Sequence, residues 1–285
     1  IRDVERSRGL GDVYKRQGNI SLFYHNISSN ETIKISDYHN TNPSIHQNNV
    51  VFVDSRDYKN TTYNIYLYNL TTRTEMPIVV GNWSVNSPDI WGDYVVWTDD
   101  RPDTPGIYLF NISNDTERLL ISSYPHRVWK PSIYGDNLGY TSICENENKY
   151  CVKYYNISTN TTTEVGRGSD PVVWGDYILY GHDGTYLYNI SKGTSIRITE
   201  KWGQYDIWEN RVVLSSDGDI YLYELDLANI TFPDIPIANN NTNNTNTSSG
   251  IDYFPIGVTV FIGSTLSVAA ITIKCIKDKE KKNEN

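Results

Sequence analysis

Residues 88–113 read PDIWGDYVVWTDDRPDTPGIYLFNIS, and this stretch decides the fold. Two short apolar runs flank Trp91-Gly-Asp93, where glycine and aspartate supply the positive φ that a tight hairpin turn needs. A polar loop leads into Ile107-Tyr-Leu-Phe110, and Asn111-Ile-Ser113 predicts the next turn. Because a short strand over 117–121 follows, one such period predicts four short antiparallel strands.

Both elements of this stretch recur along the chain. Copies of the first element begin at residues 43, 88, 131, 171 and 205. The second begins at residues 65, 107, 152 and 185, with weaker copies at 22 and 220. A period of roughly 40 residues that contains four strands is typical of a propeller blade. The sequence therefore predicts an all-β fold, a β-propeller over residues 18–226 with about five periods.

The order of these elements resembles the repeats of TolB-type propellers, most of all those in cell-surface proteins of archaea such as methanogens. Asp54-Ser-Arg56 and Asp99-Asp-Arg101 match the Asp-x-Arg motif of that family. The later repeats lack the arginine, at Ser142-Ile-Cys144, His182-Asp-Gly184 and Ser216-Asp-Gly218. The resemblance implies the fold, whereas propellers host unrelated activities. We expect the Asp-x-Arg pairs to tie loop to blade as partly exposed ion pairs, worth about 1 kcal/mol or less.

The N-terminal residues 1–17 do not continue the repeat. Asp12-Val-Tyr-Lys-Arg-Gln17 resembles the translated end of a transposon used in preparing sequencing libraries. We interpret 1–17 as a sequencing or cloning scar, and a natural basic arm is the alternative. On that interpretation the chain is a fragment of a six- to eight-bladed propeller truncated at its N-terminus; a closed five-bladed ring is the other possibility.

The C-terminal end has the composition of a membrane anchor. Residues 254–273 contain no charge, and ~20 such residues match the ~30 Å hydrocarbon core of a bilayer. Five lysines follow, which predicts a transmembrane helix over 253–274, a cytoplasmic tail over 275–285 and a body outside the cell. A buried core helix is the alternative. The Asn/Thr-rich residues 227–252 predict a polar stalk.

Composition limits the function classes. The chain has 23 Tyr and 7 Trp against 6 Phe, which favours half-buried pleated surfaces. The net charge is −9, and because both ends are rich in basic residues, the body between them is more acidic still. Such a body is repelled by phosphate backbones, so we expect no nucleic acid as a partner.

Cys144 and Cys151 flank the short loop ENENKY between two strands of one repeat. Outside the cell, such a pair can face across a hairpin at disulfide distance. Two free buried thiols or a metal pair are the alternatives, and metal is disfavoured because no further ligands lie nearby. We therefore predict a disulfide.

Asn-x-Ser/Thr sequons are dense, and five of them recur at one blade position. If occupied, these sites would decorate a single face of an extracellular glycoprotein. Asparagine also suits such turns because it tolerates left-handed φ, and both explanations can hold together. The five asparagines are Asn26, Asn69, Asn111, Asn156 and Asn189.

The sequence contains no catalytic signature. It lacks Gly-x-Ser-x-Gly, His-Glu-x-x-His, a phosphate loop and a Cys-His dyad, and its five histidines have no ligand spacing. We therefore expect no enzyme, cofactor or metal, but a surface protein for adhesion, envelope structure or ligand binding, with surface proteins or glycans as partners. A surface hydrolase or lyase is the alternative, and an envelope-transport accessory like TolB itself is a third.

A binding surface is predicted where long, variable connections share one end of the blades. Three of these connections carry a tryptophan before the next blade: Trp83, Trp129 and Trp202. His126 and Arg127 add polar donors beside Trp129. Exposed indole with nearby polar groups suits carbohydrate or peptide contact, whereas packing of these rings between blades is the alternative.

Overall fold

The computed structural model describes residues 21–37, 40–56, 63–145, 147–227, 230–232, 260–264 and 267–271, all without α-helix. Four consecutive four-stranded antiparallel sheets form blades 1 to 4, and a three-stranded sheet forms blade 5. A separate hairpin, β1 and β2, precedes blade 1. The described chain is therefore a five-bladed β-propeller, as the repeat predicts.

The strands follow one another in chain order. The hairpin consists of β1 (Leu22–Asn26) and β2 (Glu31–Ser36). Blade 1 consists of β3 (Asn40–His46), β4 (Asn49–Asp54), β5 (Asn64–Asn69) and β6 (Thr74–Val79). Blade 2 consists of β7 (Val85–Trp91), β8 (Tyr94–Asp99), β9 (Gly106–Asn111) and β10 (Thr116–Ser122).

The remaining blades repeat this order. Blade 3 consists of β11 (Val128–Tyr134), β12 (Asn137–Ile143), β13 (Tyr150–Asn156) and β14 (Thr161–Arg167). Blade 4 consists of β15 (Ser169–Trp174), β16 (Tyr177–Gly181), β17 (Thr185–Asn189) and β18 (Thr194–Thr199). Blade 5 consists of β19 (Gln204–Trp208), β20 (Arg211–Ser216) and β21 (Asp219–Glu224).

Blade 5 lacks a fourth strand among the described residues. The chain after β21 packs onto the core between blades 4 and 5 instead, through Leu225, Leu227, Ile230 and Phe232. Phe232 is buried and its ring stacks on Tyr177. The packed body therefore extends past residue 226 to residue 232.

The hydrophobic core lies between neighbouring blades. On β8, Val95 and Trp97 pack with blade 1, whereas Val96 packs with blade 3. Successive side chains of a strand point to opposite faces, so a strand covered on both sides is apolar throughout. This packing explains the run Val-Val-Trp in the repeat, and Trp97 is fully buried.

Each inner strand of blades 1 to 4 carries a β-bulge just before its proline. The residue before that proline has a left-handed φ: 49° at Asn42, 52° at Ser87, 52° at Lys130 and 59° at Asp170. Two residues there oppose one on the neighbouring strand. Proline fits this position because it has no N–H to pair. The bulge sets the direction of the side chain that follows the proline, which lies near the propeller axis.

Two short strands lie within the predicted anchor, β22 (Val260–Ser264) and β23 (Ser267–Ile271), paired as a hairpin. The predicted helix is thus not formed by these ten residues, which include the β-branched Val260, Ile262, Val268 and Ile271 that favour strands. Within the described ranges there is no helix long and apolar enough to cross a membrane. Residues 1–17, 233–252 and 275–285 lie outside the described residues.

Candidate ligand-binding cleft

The propeller has two different faces. Hairpin turns close the inner strands at the turn face, with a φ of 57° at Gly92, 58° at Gly135 and 56° at Gly175. The Asn-x-Ser/Thr turns lie at the same face, since Ile112 N–H donates to the carbonyl oxygen of Asp93 at 2.8 Å. The longer connections gather at the opposite end of the blades, the loop face.

At the turn face, aromatic rings of neighbouring inner strands contact one another. The ring centroids of Trp91 and Tyr134 lie 3.8 Å apart, those of Tyr134 and Trp174 4.9 Å, and those of Trp174 and Trp208 5.2 Å. His46 occupies the same repeat position, 4.2 Å from Trp91, and burial lowers its pKa. These distances leave the rings in contact with one another, so we assign them to packing.

Two carboxylates lie near the axis, one residue after the proline position of the repeat. Asp89 accepts hydrogen bonds from Ser44 Oγ at 2.6 Å and from Ile133 N–H at 2.9 Å, so it joins blades 1, 2 and 3. Desolvation raises the pKa of Asp89, although hydrogen bonds from Ser44 and from backbone N–H groups oppose the shift.

Asp206 occupies the equivalent position in blade 5. Its side chain is exposed to solvent, yet the surrounding inner strands partly desolvate it and raise its pKa to about 6. A backbone hydrogen bond from Ile207 opposes this shift, and the negative charge of Asp89 adds to it. The charge of Asp89 disfavours ionisation of Asp206, so the two acids are electrostatically coupled.

A cleft of about 780 Å³ opens on the loop face across blades 3, 4 and 5. Two large aromatic side chains are exposed in its lining, Trp202 at 69% and Tyr150 at 60%. Tyr205 also lines the cleft, and its hydroxyl donates to the carbonyl oxygens of Ser169 at 2.9 Å and Asp170 at 2.7 Å. Polar groups along the lining come from Asn148, Lys149, Arg167, His182 and Gln204.

One part of the cleft is the loop between Cys144 and Cys151. The two sulfurs are bonded and the Cα atoms lie 5.1 Å apart, so this pair forms the disulfide that the sequence favours. Arg167 Nη2 donates to both carboxylate oxygens of Glu147 at 2.6 Å, and this hydrogen bond lowers the pKa of Glu147. The loop is therefore held to β13 and β14 at several points.

The three tryptophans predicted for the binding surface have different environments. Trp202 lines the cleft, and Trp129 is half-buried with its ring edge-on to Tyr150, 5.1 Å between centroids. Trp83 packs against the core between blades 1 and 2, and its Nε1 is buried without a partner in the described structure. His126 is half-buried, whereas Arg127 is exposed and pairs with Asp100 at 3.6 Å.

The Asp-x-Arg pairs do tie loop to blade, but the expectation of partly exposed pairs is wrong for the aspartates. Asp99 is fully buried and accepts from Arg101 Nη2 at 2.7 Å and Trp97 Nε1 at 3.0 Å. Hydrogen bonding to Asp99 raises the pKa of Arg101 further, despite desolvation. Asp54 and Arg56 repeat this arrangement, with Arg56 Nη2 donating to Asp54 Oδ2 at 2.6 Å.

The recurring asparagines have a structural role in their turns. Asn69 Oδ1 accepts hydrogen bonds from the backbone N–H of Thr71 at 3.0 Å and Thr72 at 2.9 Å. Asn26, Asn111, Asn156 and Asn189 make similar bonds. Asn189 is buried and the others are half-buried. Their glycosylation stays a prediction.

Sequence reasoning missed most of the cleft. Tyr150, Arg167, His182 and Tyr205 come from three blades and are distant in the sequence, so no local motif joins them. The signal that could have found Tyr150 is its place beside Cys151, at the end of a disulfide-closed loop. Among the described residues, no group of three or more His, Cys, Asp or Glu side chains could hold a metal ion.

Comparisons with known proteins place the fold among solved propellers. No protein-family profile and no curated protein matches the chain. TolB from Acinetobacter baumannii matches with a TM-score of 0.52 and 14% identity over 71% of this chain, which spans 58% of that protein's length. A putative TolB from Agrobacterium tumefaciens matches with a TM-score of 0.53 and 16% identity, over 74% of this chain and 87% of that protein. An oligogalacturonate lyase in complex with manganese matches with a TM-score of 0.52 and 13% identity, over 73% of this chain and 74% of that protein.

Proposed function

We propose that this propeller is a binding protein of the cell surface, and that its loop-face cleft takes an oligosaccharide. One observation carries the proposal: Trp202 and Tyr150, both more than half exposed, line the same cleft. Two large exposed rings in one cleft form a joint apolar surface, and a cleft with apolar faces and a few polar groups is the usual form of a ligand site.

The chemistry of the lining suits a sugar. Aromatic faces offer apolar area to the C–H side of a pyranose ring, and the indole N–H of Trp202 adds a donor. Asn148, Gln204 and Arg167 supply amide and guanidinium groups that pair with hydroxyls. The TolB-like and lyase-like neighbours support the propeller fold alone, so the ligand class rests on these side chains.

Titration calorimetry with cellohexaose, chitohexaose and mannohexaose tests the proposal. We expect one of them to bind, and Trp202→Ala to weaken its binding at least tenfold. The control is Tyr124→Ala, because Tyr124 is 68% exposed but does not line the cleft. Unchanged affinity in Trp202→Ala contradicts the proposal, as does binding of an extended peptide in place of every sugar.

A second candidate, a surface hydrolase or lyase, is favoured by the coupled acids Asp89 and Asp206. A carboxyl group with a pKa of about 6 suits general acid–base work near neutral pH. Release of reducing sugar from the same hexasaccharides, lost in Asp206→Asn, would support an enzyme. If the wild-type protein releases no reducing sugar, the enzyme function is contradicted and the binding function stands.

We also propose that the uncharged residues 254–273 attach this body to a membrane, with the lysine-rich end inside. The support is their length and lack of charge together with the five lysines that follow. Protease added to intact cells should then remove the propeller and leave residues 275–285 protected. Digestion of the tail before lysis would overturn this topology.

A further inference from the structure

The loop closed by Cys144 and Cys151 carries a large share of the cleft, since Asn148, Lys149 and Tyr150 all line it. A loop this exposed would ordinarily sample many conformations, because few apolar contacts hold it. Tyr150 has 60% of its surface exposed, yet several contacts restrain the loop that precedes it.

Backbone hydrogen bonds fix both ends of the loop. Cys144 N–H donates to the carbonyl oxygen of Lys149 at 2.8 Å, across the disulfide. Gly168 N–H donates to the carbonyl oxygen of Tyr150 at 2.9 Å, which anchors Tyr150 to the link between blades 3 and 4. The disulfide adds a covalent link between the ends of β12 and β13, which the ladder also pairs at Ile143 and Tyr150.

Side chains complete the restraint. Arg167 binds both carboxylate oxygens of Glu147 in the loop, and Lys149 Nζ lies 3.7 Å from the same carboxylate. Trp129 also contacts the Tyr150 ring, edge to face, at 5.1 Å between centroids. Tyr150 therefore lies next to both a covalent closure and an aromatic support, while most of its surface stays exposed to a ligand.

We propose that Cys144 and Cys151 are positioning residues of the binding cleft, and that Tyr150 is the specificity-determining residue they position. The inference rests on the proposed function of the cleft. A ligand gains affinity when the group that contacts it is held in place beforehand, since less conformational freedom is lost on binding. Reduction of the disulfide thus releases Tyr150 and weakens the site without unfolding the propeller.

The test compares wild type, Cys144→Ser/Cys151→Ser, Tyr150→Ala and the triple variant. Hydrogen exchange needs no ligand: at the Gly168 amide we expect at least tenfold faster exchange without the disulfide. The amide of Ile157 is the internal control, because it bonds to Asp136 at the turn face of the same blade, and its exchange should not change. Equal exchange at Gly168 in wild type and double serine variant overturns the positioning role.

Affinity for the hexasaccharides supplies the second readout. We expect the double serine variant to bind at least fivefold more weakly than wild type, and Tyr150→Ala to lose a similar factor. In the Tyr150→Ala background, loss of the disulfide should change affinity less than twofold, because the positioned group is already absent. Wild-type affinity in the double serine variant overturns the inference, whereas absence of binding in wild type contradicts only the proposed function and leaves hydrogen exchange to decide.

Discussion

Ser44 Oγ of blade 1 donates a hydrogen bond of 2.6 Å to Asp89 Oδ1 of blade 2. The second oxygen of the same carboxylate accepts from the backbone N–H of Ile133 in blade 3 at 2.9 Å. One side chain thereby links three consecutive inner strands near the axis. A bulge precedes Asp89 in its strand and sets the direction of its side chain. The backbone geometry thus places the carboxylate where it can accept these hydrogen bonds.

Asp89→Ala should destabilise the propeller. The substitution leaves Ile133 N–H and Ser44 Oγ without an acceptor, and each buried unsatisfied group costs about 1–3 kcal/mol. We expect the free energy of unfolding in urea to fall by about 2–4 kcal/mol. Asp103→Ala, at an exposed residue between β8 and β9, is the control and should change stability by less than about 0.5 kcal/mol. An equal effect of the two substitutions would refute the linking role.

Arg101→Gln should lower the free energy of unfolding by more than the loss of an exposed ion pair would. Asp99 is fully buried, so loss of the guanidinium leaves a buried charge with only neutral donors, which costs about 3–5 kcal/mol. Arg101 also packs over the Tyr108 ring at 3.8 Å, and glutamine cannot reproduce this contact. Urea unfolding measures the loss. The matched control is Arg118→Gln on the exposed strand β10 of the same blade; if it destabilises as much, the buried pair is not the cause.

Much of the fold could be predicted because the information is local and repeated. Trp91-Gly-Asp93 specifies a hairpin by its backbone preferences, and five related copies of this element, 34 to 45 residues apart, multiply that signal. Blade 5 departs from the pattern because apolar residues recur after β21, at Leu225, Leu227, Ile230 and Phe232. Leu225 and Phe232 gain more by covering the core than by extending an edge strand.

The cleft could be predicted only in part because it depends on side chains from three blades. Trp202 was identifiable as an aromatic in a long connection, and it does line the cleft. Trp83 lies at a comparable place in its own connection, yet it packs on the core because Arg101 and blade 2 cover it. The sequence pattern of the two residues is similar, and only the neighbouring blade decides between exposure and burial.

The role of Asn69 in its turn can be tested separately from its predicted glycosylation. Thr71→Ala removes the sequon but keeps the Thr71 and Thr72 N–H bonds to Asn69 Oδ1, whereas Asn69→Ala removes both. In protein made without glycosylation, we expect Thr71→Ala to match wild type and Asn69→Ala to lose about 1 kcal/mol. In exported protein, mass spectrometry should find a glycan at Asn69 in wild type and none in Thr71→Ala. Unmodified wild-type Asn69 would assign the asparagine to the turn alone.

Asp206 should make the protein less stable as the pH rises through about 6. Its pKa in the folded state is about 6, above its ordinary value of 3.8, so the folded state binds the proton more tightly than the unfolded state does. Asp206→Asn carries no charge, and it should therefore exceed wild type in free energy of unfolding above pH 6. That advantage should shrink between pH 6 and pH 4 and be constant at higher pH. Urea unfolding from pH 4 to 8 measures the difference, with Asp103→Asn as the exposed control. A difference between Asp206→Asn and wild type that does not change with pH would show that Asp206 ionises as freely in the folded propeller as in the unfolded chain.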